Sequence, residues 1–291
     1  MFEGAFTAIV TPFDQSGNVD YPAFEKLINW QIEQGIDRIV PVGTTGESPT
    51  LNTDEHRCVI EFAIEKAGGR VKIIAGTGAN STQEALELTT FAKKAGADGT
   101  LQVTPYYNKP NQEGLYNHFS AVADIGLPVV LYNVPGRSGR EIAVETIARL
   151  AAHENVVAVK EAGGSVDRVS QILNRCSICV LSGDDALTFP MMALGAKGVI
   201  SVSSNIAPHA VAALVHAALE ENWTEARKLH YQYYDLFAAM FMDTNPIPVK
   251  AAAAMAGHIQ EQYRLPLCPL DDALRTKLAA ILQRYTIIPA P

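Results

Sequence analysis

Cysteine is scarce in this 291-residue chain, with only Cys58, Cys176, Cys179 and Cys268. Four scattered thiols exclude a scaffold built on disulfides. The Cys176-Ser177-Ile178-Cys179 spacing imitates a redox pair, but it runs into apolar Val180-Leu181 rather than into a helix, so buried, reduced thiols are expected. No second Cys or His pair stands ready to complete a zinc site, and no metal is expected. Basic charge is also short: 23 Lys and Arg against 31 Asp and Glu leave a formal net charge of −8. That balance disfavours nucleic acid, which needs a clustered basic surface. No apolar run approaches the length that spans a membrane, and Met1-Phe2-Glu3-Gly4-Ala5 carries no basic stretch. A cytoplasmic location without a membrane partner is expected. The glycine pairs Gly43/Gly46 and Gly76/Gly78 complete neither a phosphate-binding loop nor a dinucleotide fingerprint.

What is present is apolar sequence in short, regular bursts. Hydrophobic residues make up 48% of the chain and charged ones 19%, enough to bury a sizeable core. Eight runs read as strands: Thr7-Ala8-Ile9-Val10, Arg38-Ile39-Val40-Pro41-Val42, Lys72-Ile73-Ile74-Ala75, Thr100-Leu101-Gln102-Val103, Val129-Val130-Leu131-Tyr132, Val156-Val157-Ala158-Val159, Cys179-Val180-Leu181-Ser182 and Val199-Ile200-Ser201-Val202. Near-continuous apolar character suits strands buried on both faces of a parallel sheet. Helical periodicity fills the gaps. Residues 23–34 place Phe24, Leu27, Ile28 and Ile32 on one face, and residues 83–95 do the same with Leu86, Leu88, Phe91 and Ala92. A small repeat marks the unit: Gly35, Gly96 and Gly195 each stand where a helix ends, just before a strand. Eight β–α alternations with short connections predict an α/β fold, a closed (β/α)₈ TIM barrel over residues 1–206. Four helices predicted at 207–221, 224–242, 248–256 and 271–284 form a C-terminal helical extension, residues 207–291, packed on the barrel.

Barrels of this type carry their chemistry at the carboxyl ends of the strands. Of the eleven lysines, only Lys160 closes an apolar strand at that face. Lys250 merely follows the Pro246-Ile247-Pro248 turn. An exposed lysine amine has a pKa near 10.4 and is a poor nucleophile; desolvation lowers it, and imine-forming lysines exploit this. Position alone leaves a lysine snorkelling to water equally open. Tyr132, ending strand five, is a candidate proton shuttle, with Thr44 able to relay by bonding both neighbours. A half-buried aromatic, and a hydroxyl that only satisfies loop amides, remain open beside those roles.

The motifs together carry a resemblance. Ala8-Ile9-Val10-Thr11-Pro12-Phe13, Gly43-Thr44-Thr45-Gly46-Glu47, Ala75-Gly76-Thr77-Gly78-Ala79-Asn80, Val103-Thr104-Pro105-Tyr106-Tyr107-Asn108, Tyr132-Asn133-Val134-Pro135-Gly136-Arg137-Ser138-Gly139, Ser182-Gly183-Asp184-Asp185 and Asn245-Pro246-Ile247-Pro248-Val249-Lys250 span nearly the whole chain. They resemble the dihydrodipicolinate synthase family, within the superfamily that includes N-acetylneuraminate lyase. The resemblance implies that Lys160 condenses with pyruvate and that the resulting enamine adds to the aldehyde of L-aspartate 4-semialdehyde, with no metal or organic cofactor. It implies a proton relay of Tyr132, Thr44 and Tyr107, with Tyr107 reaching in from a neighbouring subunit of a homo-oligomer, commonly a tetramer built as a dimer of dimers. Thr45 matches the threonine that binds the pyruvate carboxylate, and Gly183 and Ile200 match positions that line the pocket through backbone groups. Ser48, His56, Asn80, Glu84 and Tyr106 match a lysine feedback site, although Thr53 stands where some sensitive relatives carry His. Ser81 with Glu84 also has capping-box spacing, which leaves Glu84 an ordinary role at a helix start. Gly163 departs from the Thr or Ser of many members, and a slightly altered pocket floor is expected.

Two other readings stay in view. A sister aldolase would cleave a longer 2-oxo sugar acid, and a non-catalytic sensor would keep the pyruvate pocket without turnover. Arg137 discriminates against the first, since a guanidinium there can hold the second carboxylate that the semialdehyde carries. As a plain loop arginine it would make surface contacts only. The intact Lys160, Tyr132, Thr44 and Tyr107 weigh against a sensor.

Overall fold

The computed structural model describes residues 2–289. Strands β1 (Gly4–Ala8), β2 (Arg38–Val40), β3 (Lys72–Gly76), β4 (Gly99–Val103), β5 (Val129–Asn133), β6 (Val156–Glu161), β7 (Cys179–Ser182) and β8 (Gly198–Ser201) pair in parallel and close β8 onto β1. Helices α1 (Tyr21–Glu33), α2 (Thr53–Ala67), α3 (Thr82–Ala95) and α4 (Gln112–Ala123) return the chain between the first five strands. A short α5 (Pro135–Ser138) precedes α6 (Val144–Leu150); α7 (Asp167–Leu173), α8 (Thr188–Ala193) and α9 (Pro208–Leu219) complete the ring. The chain ends with α10 (Trp223–Ala239), α11 (Ile247–Met255) and α12 (Asp272–Arg284). The expected (β/α)₈ barrel is therefore the fold. Helix α9 packs against β1 and β8, the place of the barrel's eighth helix, so the division expected at 206/207 falls just ahead of it.

Side-chain alternation splits the core in two. Phe6, Val40, Ile74, Leu101, Val130, Ala158, Leu181 and Ile200 fill the barrel interior, one from each strand. The opposite faces join the helices in one continuous outer layer. Helix termini follow local chemistry. Asn52 and Glu55 exchange both bonds of a capping box at α2, and Gly96 ends α3 in the left-handed region at φ 95°. The repeat seen in the sequence also has a second element: Asp37 and Asp98, two residues past their glycines, accept from the Ala5 and Ile73 amides of the preceding strands.

Every strand but β7 differs from expectation by one to three residues at an end, and two of the differences have a clear cause. β1 stops at Ala8 because the Val10 amide donates to Asn205 Oδ1 at 3.0 Å instead of to a neighbouring strand. β2 stops at Val40 because Pro41 has no N–H for the ladder and Val42 turns to φ 50°. The thiols differ in part. All four are free, but Cys176 and Cys179 are partly rather than fully buried, and Cys58 and Cys268 are exposed. Burial pushes the Cys179 thiol up to about 12, and its Sγ donates to the Phe2 carbonyl.

Candidate active site

Register places the amine. Lys160 pairs with Tyr132 across β5–β6 and with Leu181 across β6–β7, so its side chain points into the barrel two residues beyond Ala158. Glu161, the next residue, points out. Its carboxylate accepts from Asn133 Nδ2 at 2.9 and 3.0 Å, from the Gly163 amide at 2.8 Å and from Arg168 Nε at 3.4 Å. Burial pulls the Glu161 pKa upward, with Arg168 and these hydrogen bonds opposing. The alternation thus parts neighbouring opposite charges and leaves Lys160 without a carboxylate.

Lys160 is 5% exposed and forms no ion pair or hydrogen bond among the described residues. Its Nζ lies 4.3 Å from the centroid of the Tyr132 ring. A Cβ on Gly183 would stand 2.6 Å from Ala162 Cβ and 3.0 Å from Lys160 Cε, so glycine at this strand end leaves the lysine its room. Ile200 is fully buried among the inward side chains.

A cavity of about 230 Å³ opens at this end of the barrel, walled by Thr44, Tyr132, Arg137, Ser48 and Tyr106 with apolar Leu101. Thr45, Lys160, Gly183 and Ile200 are not part of its wall. Thr45 is buried, and its Oγ1 accepts from Asn245 Nδ2 at 3.0 Å. The exposed Arg137 donates through Nη2 to the Asn245 carbonyl at 2.8 Å. No hydrogen bond joins the Thr44, Tyr132 and Tyr107 side chains within the chain. Tyr107 is 91% exposed and holds a left-handed backbone at φ 72°.

A second cavity, about 160 Å³, adjoins the first and is lined by Ser48, His56, Glu84 and Tyr106. Asn80 lies outside its wall but donates to the Tyr106 carbonyl at 3.3 Å. His56 Nε2 is 2.8 Å from the Gly76 carbonyl, and burial lowers the imidazole's pKa. Ser81 accepts from the Glu84 amide, but the Glu84 side chain does not return the bond, so only half a capping box forms. Gly163 belongs elsewhere. A Cβ there would meet Glu161 Oε1 at 2.7 Å, on the outer face of β6 rather than at the expected pocket floor.

Three groupings escaped the sequence reading. Asn245 bridges Thr45 and Arg137. Lys250, fully buried, pairs with Glu47. Asp185 takes the Val202 and Ser203 amides at 3.0 and 3.1 Å and so fixes the loop after β8. The quoted motifs contained the signal for the second: two opposite charges, each inside an otherwise uncharged segment.

A closed parallel barrel with a buried, unpaired amine at a strand's carboxyl end, beside a tyrosine and a cavity, defines a (β/α)₈-barrel enzyme. This chain belongs to the dihydrodipicolinate synthetase family, whose sequence model matches residues 1–285. It is 54% identical to the 4-hydroxy-tetrahydrodipicolinate synthase of Pelobacter propionicus over 99% of this chain and 100% of the relative. A chloride-inhibited dihydrodipicolinate synthase from Acinetobacter baumannii, solved with pyruvate, superposes with a TM-score of 0.96 at 46% identity, covering 99% of this chain and 100% of that one. The synthase of Cyanidioschyzon merolae, solved with lysine bound, gives 0.95 at 40% identity, covering 99% of each.

Proposed function

We propose that this chain acts as a 4-hydroxy-tetrahydrodipicolinate synthase in lysine biosynthesis, with Lys160 as the imine-forming nucleophile. One observation carries the reading: Lys160 is buried without an anionic partner, on the ladder beside Tyr132, in a member of this family. An amine that no carboxylate engages, set against an aromatic ring at the strand's end, is free to attack a carbonyl carbon.

The Lys160 amine adds to the C2 carbonyl of pyruvate, and loss of water gives an iminium. Removal of a C3 proton then gives the enamine. Its carbon attacks the aldehyde of L-aspartate 4-semialdehyde, whose carbonyl oxygen becomes the new hydroxyl. The semialdehyde's own amine next attacks the iminium carbon and expels Lys160, closing the ring and regenerating the enzyme. Each step moves a proton, and Tyr132 with Thr44 is the local route for it. Tyr107 completes that relay from a second copy, which its exposure permits. Thr45 takes the pyruvate carboxylate, Arg137 the carboxylate of the semialdehyde, and Gly183 and Ile200 frame the imine. All the chemistry belongs to side chains and substrates, so the proposal includes no cofactor.

The assembly proposed is a homotetramer, a dimer of dimers, located in the cytoplasm; among the described residues no helix is long and apolar enough to cross a membrane. The barrel core and the helical extension after residue 206 are proposed as its two parts. L-Lysine is the proposed inhibitor at the second cavity, where Glu84 offers an acceptor for an ammonium group, Asn80 stands behind the wall against Tyr106, and Tyr106 is shared with the first cavity. Borohydride reduction in the presence of pyruvate tests the core of the reading. The expected product is a reduced adduct on Lys160, and mass spectrometry locating it on another lysine would refute the assignment. Turnover of sugar acids in place of the semialdehyde would move the chain to a sister aldolase.

A further inference from the structure

Thr45 and Arg137 lie on different strand-end loops of the barrel, yet one residue of the extension touches both. Asn245 stands 200 positions from Thr45 and 108 from Arg137. It is 6% exposed, and its side-chain Oδ1 is buried with no partner at all. A buried acceptor left unsatisfied is uncommon, and it sets this asparagine apart from one that merely caps a loop.

The direction of each bond matters. Asn245 Nδ2 donates to Thr45 Oγ1 at 3.0 Å, occupying one of the hydroxyl's lone pairs. A hydroxyl holds one proton and two acceptor positions, so its own proton stays free to donate. A carboxylate can only accept. The Asn245 main-chain carbonyl also takes one N–H of Arg137 at 2.8 Å and leaves the rest of the guanidinium fork unused. A second fastener holds the same loop to the extension: Glu47, three residues after Thr44, meets Lys250 of α11, and Glu47 Oε2 also accepts from the Arg264 amide at 3.3 Å.

We propose that Asn245 is a positioning residue whose side chain fixes the donor direction of Thr45 beside the main-chain anchor it gives Arg137, so that the extension sets carboxylate recognition in the barrel. The inference rests on the synthase reading above and deepens it. Asn245 need not touch either substrate; it acts through the two side chains that do.

A double-mutant cycle on the assembled enzyme tests it, because interacting sites depart from additivity. Asn245→Ala and Thr45→Val should each raise the KM for pyruvate, the first by roughly 3–10-fold, with a much smaller change in kcat. In the Thr45→Val background, Asn245→Ala should raise that KM by less than about 2-fold, since the hydroxyl it orients is gone. Multiplying effects in the double variant, or an unchanged pyruvate KM in Asn245→Ala, would overturn the proposal. Should Asn245→Ala not fold, Asn245→Ser runs the same cycle with a hydroxyl that can still donate to Thr45, and a smaller rise is expected. The borohydride adduct of the unaltered enzyme keeps the two ideas apart. Its absence refutes the synthase reading, whereas its presence alongside multiplying effects refutes only the role of Asn245.

Discussion

Two lysines of the eleven are buried, and they are opposites. Lys250 at the start of α11 is fully enclosed, pairs with Glu47, and lies 4.3 Å from the Phe13 ring centroid and 5.3 Å from that of Tyr263. Burial pulls its pKa below the usual lysine value while Glu47 pulls it back. Lys160 is nearly as deep, yet it has an aromatic face and no anion. The first is a cation compensated in the fold, and the second has no counter-charge among the described residues. Burial alone therefore does not decide whether a lysine is paired. Here β-strand alternation decides it, by sending Glu161 to the other face and leaving Lys160 without a carboxylate.

The widest break in that comparison comes from removing each amine. Lys160→Ala should lower kcat/KM by on the order of 10³-fold or more and abolish the borohydride adduct, because the covalent route is gone. Thermal unfolding should change little, since no ion pair is lost; activity within tenfold of the unaltered enzyme would contradict the role. Lys250→Ala should do the reverse. It leaves Glu47 buried and uncompensated, a loss of roughly 3–5 kcal/mol in denaturant unfolding. Lys250→Met with Glu47→Gln should recover most of that stability, with pyruvate still trapped on Lys160. An adduct lost in this double variant would mean that the two sites are not separate.

A smaller effect is expected at Arg137. Arg137→Ala should cost about one to two decades of kcat/KM for the semialdehyde, the loss of a charged hydrogen-bonding partner, while the pyruvate adduct still forms. Equal loss of both functions would place Arg137 with the nucleophile's own support instead.

The smallest effect sharpens the contrast between buried and exposed charge. His216, on α9, meets Asp37 at 2.9 Å near the start of β2, away from the catalytic face. The Asp37 hydrogen bond raises the His216 pKa above its ordinary 6.5. Asp37 is held below 3.8: burial alone would raise it, but His216 and the Ala5 amide outweigh that. The histidine's contribution is complete below about pH 6.5 and fades as pH rises through its folded value; the aspartate's is present above about pH 3.8 and fades as pH falls. Half exposed, the pair should contribute less than about 1 kcal/mol. The melting difference between the unaltered protein and His216→Gln should thus appear near pH 5–6 and vanish by about pH 9. A difference that grows with pH would show the sign to be wrong.

Much of this was legible in the sequence because the signals were local. The alternation Ala158, Lys160 against Val159, Glu161 sets which residue faces inward once the segment is a strand. Gly96 ends a helix because its backbone takes φ 95°, a conformation L side chains rarely adopt. Even the misplaced end of β1 has a non-local cause, since the bond that ends it comes from Asn205, 195 positions away.

The sequence alone determined the eight strand–helix units, the closed barrel and the nomination of Lys160, since each follows from short-range periodicity or from a motif read within a few residues. Only the tertiary structure decided which buried lysine is neutralised, where Gly163 points, and that Asn245 spans Thr45 and Arg137. Those depend on groups between 2 and 203 positions apart meeting within hydrogen-bond distance. The physical reason is range. Backbone preferences act over a few neighbours, whereas compensation of a buried charge depends on whatever the fold brings within about 4 Å of it.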